Sequence, residues 1–187
     1  METKKIVLVL VLLCMAVLNL AAQSSGADII INHYAARNFT AGAIGRAELD
    51  AVIQAGIRAP SARNAQPWHF TVVQNLALAK KIVGDTVEGN ALIVISASGD
   101  GKTNGGEILD CALAAESVYL AAQALGLGSR IYTGPIDALN RNLKAELGLP
   151  AGHSAVVLVR IGRVAPGIDA VSAASSRRPA GSLVTYK

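Results

Sequence analysis

Aromatic side chains are scarce, at 4% of the 187 residues, with one Trp, two Phe and four Tyr. Proteins that grip nucleic acid combine stacking aromatics with a clustered basic surface. Here the formal net charge is +4, about +3 without Glu2, Lys4 and Lys5, and no predicted helix face gathers Lys and Arg. Nucleic acid is therefore not an expected partner. Cysteine is nearly absent too. Cys14 and Cys111 stand far apart, which excludes a disulfide framework and gives no metal-ligand spacing. Cys111 falls in an Ala-rich predicted helix and reads as a buried, inert thiol. The three histidines, His33, His69 and His153, lie on different predicted elements, so no metal set is expected.

Small and apolar residues fill the space left: 52% of the chain is hydrophobic and 18 residues are glycine. That length suits one domain able to bury a core. Residues 1–22 read as a signal peptide or an uncleaved anchor. Lys4 and Lys5 precede an apolar run from Ile6 to Leu18, followed by Asn19-Leu20-Ala21-Ala22. The run is short for a membrane span, which needs about 20 apolar residues. An exported, periplasmic protein is expected in preference to a cytoplasmic one, touching membrane only if the leader is retained. Residues 23–187 then form a single domain with a C-terminal extension from about Val164.

The periodicity predicts a helix from Asp28 to about Ala36 and a turn at Arg37-Asn38-Phe39. A second helix carries Leu49, Val52, Ile53 and Ile57 on one face. Strands are predicted at Trp68–Val73, Ala91–Ala97, Ser129–Tyr132 and Ala155–Ile161, with helices at Leu76–Val83 and Ile136–Leu147 between them. Glu107–Leu125 is helical and apolar almost all round, interrupted by Asp110, Ser117 and Gln123, which predicts burial on every side. The fold class is α+β: a central mixed or antiparallel sheet flanked by helices around one long buried helix. The extension from Val164 is expected to wrap a partner subunit.

One loop organises the chain, Pro60-Ser61-Ala62-Arg63-Asn64-Ala65-Gln66-Pro67-Trp68-His69-Phe70. Pro60 ends the helix before it, and Pro67 is expected to push Gln66 into extended geometry. The loop resembles the P-S-x-x-N-x-Q-P-W-x-F signature of the FMN-dependent nitroreductase family. Arg37-Asn38-Phe39 is similar to the end of that family's R-R-S-x-R-x-F opening, and Asp110–Gly128 to its long helix ending in A-x-x-L-G-L-G. Leu147-Gly148-Leu149-Pro150, Val156–Gly162 and Arg177-Arg178-Pro179 resemble its closing elements.

The resemblance implies a homodimer with FMN at the subunit interface and the long helix packed on its counterpart. It implies an NAD(P)H oxidoreductase working by ping-pong, with a small acceptor such as a nitroaromatic or quinone. FMN carries that chemistry, so no catalytic side chain is expected. Arg37 and Arg177 would meet the phosphate, since paired guanidinium groups match its oxygens. Ser61, Ala62 and Asn64 would lie along the ring and ribityl chain, and the Thr133-Gly134 backbone would face the ring. Trp68 reads as a core residue at the strand start, and Lys102 and Asn104 as a solvated turn. His33, Tyr34 and Ala35 occupy the cofactor-binding positions where the family has R-R-S, which removes one Arg and one hydroxyl. That departure favours an alternative: a non-catalytic flavin- or ligand-binding member of the same fold in the cell envelope.

Overall fold

A computed structural model describes residues 26–99, 105–166 and 176–187. The leader expected over 1–22, together with Lys102 and Asn104, lies outside the described residues, as do positions 167–175 of the extension. Four strands form one sheet: β1 (His69–Val73), β2 (Ala91–Ser98), β3 (Gly128–Tyr132) and β4 (His153–Gly162). Their order is β1-β2-β4-β3, with every neighbouring pair antiparallel. The sheet is thus wholly antiparallel. Strand β2 lies inside it and is covered on both faces, which is why its sequence is a continuous apolar run without polar alternation.

Successive residues of β2 feed two separate cores. Ile93, Ile95 and Ala97 face one side with Val157, Val159 and Ile161 of β4. There they meet the long helix α4 (Gly105–Ala124) through Cys111, Ala114, Ala115, Val118 and Ala122. Leu92, Val94 and Leu158 face the other side, toward α3 (Leu76–Ile82) and α5 (Ile136–Asn142). A further helix, α2 (Arg46–Ile57), lies across α4. Gly56 allows that close approach, because a Cβ there would stand 2.7 Å from Val118 Cγ2 and 2.9 Å from the Phe70 ring. Trp68 packs against the α4-side core, as its sequence position suggested.

Several expectations need correction. The first helix, α1, spans 26–32 and stops short of Ala36. Its continuation is prevented at Tyr34, whose backbone groups bond to the Gln123 side chain. Helix α5 ends at Asn142 and gives way to turns before Leu147. Its Asn140 is committed to β4 instead: the carboxamide donates to Ala155 O at 2.9 Å and accepts from Ala155 N at 2.8 Å. That clamp sits beside a register shift between Ile95 and Ser96.

Burial of α4 on every side also fails in the single chain. Asp110, Cys111, Ala114, Ala115, Val118, Tyr119 and Ala122 are buried, whereas Leu109 is 60% and Leu113 38% exposed. Uniform hydropathy cannot tell a helix enclosed within one chain from one with a bare apolar flank. No helix among the described residues is long and apolar enough to cross a membrane.

Candidate functional site

The loop that leads into β1 is built from strained backbone. Arg63 and Asn64 both have φ of +55°, and Gln66 has φ of +47°. The expected extended geometry at Gln66 is therefore not found. Pro67 does exclude the right-handed helical region at the residue before it, but the chain takes the left-handed region instead. A non-glycine residue pays about 1–2 kcal/mol for that conformation, so three in one short loop require fixed partners. Asn64 N–H donates to Ser61 O at 3.0 Å, and two bonds with side-chain acceptors add to it. Ser61 Oγ accepts the Gln66 N–H at 3.0 Å, and the Asp110 carboxylate accepts the Ala62 N–H at 3.0 Å. Asp110 is 4% exposed, on the buried side of α4. Ser61 is half-buried, while Ala62 and Asn64 are exposed.

The segment from His33 to Thr40 is held differently. Gln123, near the end of α4, brackets Tyr34: its Oε1 accepts the Tyr34 N–H at 3.2 Å and its Nε2 donates to Tyr34 O at 2.9 Å. Nε2 also lies 2.9 Å from Ser129 Oγ, and that hydroxyl donates to Tyr119 O at 2.7 Å. Ala36 is buried, with its N–H on Ser129 O. Next to it, Gly128 admits Ala36 and Val164, and Gly162 admits Phe39 and Asn90; a side chain at either glycine would collide. Phe39 in turn lies 4.2 Å from the buried Arg160 guanidinium, which is paired with Asp85 and Asn90. Thr40 forms a β-bridge with Arg163.

Within this frame His33 sits edge-on to Tyr119, with ring centroids 5.4 Å apart. His33 and Tyr34 line a cavity of about 620 Å³ shared with Asn32, Gln123, Leu127 and Val164. Burial raises the Tyr34 phenol above its usual pKa. Burial raises Tyr119 as well, opposed by a Gln123 hydrogen bond and by the Arg177 charge. The Arg177 charge thus acts on Tyr119, the ring that meets His33. Ala35 and Arg37 are exposed, as is Arg177. Thr133 and Gly134 are exposed and leave β3 just after Tyr132, opposite Leu158 midway along β4.

The two groups are not brought together within one chain. Their anchors, Asp110 and Gln123, are thirteen residues apart on α4, or about 20 Å along a helix rising 1.5 Å per residue. His33, Tyr34, Arg37 and Arg177 belong to one end, and Ser61, Ala62 and Asn64 to the other. Leu109 and Leu113 lie exposed on the helix that joins them.

The model of the nitroreductase family matches this chain over residues 30–97 and 88–163. The chain belongs to the nitroreductase family. A relative from Archaeoglobus fulgidus, by name a candidate NADH dehydrogenase/NAD(P)H nitroreductase, is 32% identical over 125 residues, covering 62% of this chain and 71% of its own. Among solved structures, a Bacteroides fragilis nitroreductase with bound FMN superposes with a TM-score of 0.70 at 23% identity, covering 86% of this chain and 98% of its own. A candidate nitroreductase from Desulfovibrio desulfuricans, in complex with FMN, gives a TM-score of 0.71 at 25% identity, covering 86% and 95%. The nitroreductase-like fold expected from the loop signature is the fold observed.

In this member of the nitroreductase family the two anchors leave little trace in the sequence. Asp110 and Gln123 stood out only as polar interruptions of an apolar helix. That was the usable signal, since a polar group buried on an apolar face must find a partner. Also missed was the meeting of His69 and His153, whose rings lie edge to face at 6.3 Å on the sheet. Cys111 is buried as expected, and burial beside Asp110 and Glu107 pushes its thiol up to about 12.

Proposed function

We propose that this chain is an FMN-dependent NAD(P)H oxidoreductase of the nitroreductase type, working as a homodimer with a flavin site shared between copies. The observation that carries the reading is the Ser61–Gln66 loop. It matches the family signature, and its left-handed backbone is fixed to α4 by Asp110. Backbone strain held by specific partners is characteristic of functional sites.

The residues present fit FMN. The Ser61 hydroxyl accepts from Gln66 and so keeps its own proton to donate toward a ring acceptor. Asn64 offers an exposed carboxamide beside it. Arg37 and Arg177 would bind the phosphate from the other end of α4. With no arginine at positions 33–35 and the Tyr34 backbone engaged by Gln123, these two arginines would carry that duty. The chemistry that FMN supplies is two-electron transfer from reduced nicotinamide to a small acceptor such as a nitroaromatic or quinone. This chain's part is to bind, to orient, and to place donors where the ring gains negative charge.

Distance supports the dimer. One chain holds the two halves about 20 Å apart on a helix, but two copies with antiparallel α4 helices would set the loop of one beside the Arg37 end of the other. Leu109 and Leu113 would close against the partner, removing the bare apolar flank.

The engagement of Tyr34 and the loss of the R-R-S side chains favour a second reading, a flavin-binding member without turnover. One experiment separates the readings. Purified protein is saturated with FMN, and NADH or NADPH is added anaerobically. The proposal expects a yellow dimer whose visible absorbance bleaches. Binding without bleaching would support the second reading, and a protein that ignores FMN would sink both.

A further inference from the structure

We infer that Asp110 is a positioning residue for the flavin ring, acting through the Ala62 N–H, and that Gln123 is its counterpart for the phosphate, acting through Tyr34. The inference rests on the proposed FMN site and concerns which parts of the chain set its geometry. Both side chains project from one rigid helix, and each bonds directly to backbone of a segment expected to touch the cofactor. Asp110 is buried at 4% exposure, a costly place for a carboxylate unless its hydrogen bonds are used. Its Oδ1 accepts the Ala62 N–H at 3.0 Å, in the first turn of the short 3-10 helix Ala62–Asn64. Ser61, one residue earlier, is extended, while Arg63 and Asn64, just after, are left-handed. The bond therefore lies where the backbone changes conformation on both sides of the residues proposed to meet the ring. Gln123 spans Tyr34 with both halves of its carboxamide, fixing the direction in which the chain leaves toward Arg37.

The two anchors act on different parts of one ligand, and that separates them experimentally. Dissociation constants of wild type and variants would be measured for FMN and for riboflavin, which lacks the phosphate. Loss of a hydrogen bond to a charged group corresponds to about tenfold or more in affinity. Asp110→Ala is expected to weaken FMN and riboflavin alike and to shift the visible flavin spectrum. Asp110→Asn, whose carbonyl oxygen can still accept from Ala62, should restore most of the affinity. Ala62→Pro removes the donor, at the first position of a helix where proline fits; it should reproduce the Asp110→Ala loss even if that variant folds poorly. Gln123→Ala should weaken FMN but leave riboflavin almost unchanged.

Unaltered FMN affinity in Asp110→Ala or in Ala62→Pro would overturn the assignment of Asp110, as would an Asp110→Asn variant as weak as Asp110→Ala. Equal losses for both ligands in Gln123→Ala would overturn the assignment of Gln123. A wild-type protein that binds neither flavin would instead refute the proposed function.

Discussion

At the Asp110 end of α4, an exposed loop of small and polar residues keeps three left-handed residues in place with hydrogen bonds, among them those accepted by Ser61 and Asp110. At the Gln123 end, the 33–40 segment is packed: Ala36 is buried, Phe39 stands against a buried guanidinium, and Gly128 and Gly162 leave no room for a Cβ. The first region stores strain at its surface and the second is built into the core. The proposed site draws on both, so its geometry depends on tight packing at one end and on tolerated strain at the other. Substitutions at the two ends should then change stability with opposite signs.

The largest effect is expected from Gly128→Ala. The added Cβ would run into Val164 Cγ1 and lie 3.0 Å from the Cβ of the buried Ala36. Overpacking of this kind costs about 1–3 kcal/mol. Urea unfolding should show a lowered midpoint with an unchanged slope, and FMN affinity should fall with it because Ala36 lies next to Arg37. An unchanged midpoint would mean that the 33–40 segment is not fixed by packing.

At the other end Asn64→Gly should raise stability. Glycine adopts a φ of +55° without steric cost, which recovers at most about 1–2 kcal/mol of strain, since Asn tolerates this region better than most residues. Against this stands the greater freedom of the unfolded chain, about 0.5–1 kcal/mol, so the net gain lies between about 0 and 1.5 kcal/mol. The same change removes the Asn64 carboxamide and should weaken FMN binding. Higher stability with weaker binding is the combination that marks strain kept for function, and a loss of both would refute it.

Legibility in the sequence divides along the same line. Strands β1, β2 and β4 and helix α4 were readable because apolar runs and turn residues bound them, and the loop was readable from its signature. The conformation of Gln66 was not, because a proline restricts its predecessor without choosing between extended and left-handed backbone. Nor was the end of α1. It stops where Gln123, far along the chain, captures the Tyr34 backbone, and no local pattern carries that bond. The outer flank of α4 shows the same limit: Leu109 and Leu113 read as core, and only three-dimensional packing exposes them.

The smallest expected effect lies at the edge of the packed region, where Arg163 ties α2 to the bridge at Thr40. Its guanidinium bonds both Glu48 oxygens, at 2.7 and 2.8 Å, and the Ala43 carbonyl. Glu48 Oε2 also accepts the Gly45 N–H at 2.7 Å, starting α2. The Arg163 hydrogen bond, followed by that from Gly45, lowers the Glu48 carboxyl from its ordinary value of 4.5. A lowered folded pKa means that the unfolded chain takes up the proton first as pH drops. The stabilisation is therefore complete above about pH 5 and fades as pH falls through the folded value. Both side chains are partly exposed, so the pair contributes no more than about 1 kcal/mol. Glu48→Gln should lower stability slightly at neutral pH and converge with wild type in acid, as followed by denaturant midpoints across pH. A constant difference at every pH would assign the loss to packing of the α2 start and would detach this charge pair from the ordering of the 33–40 segment.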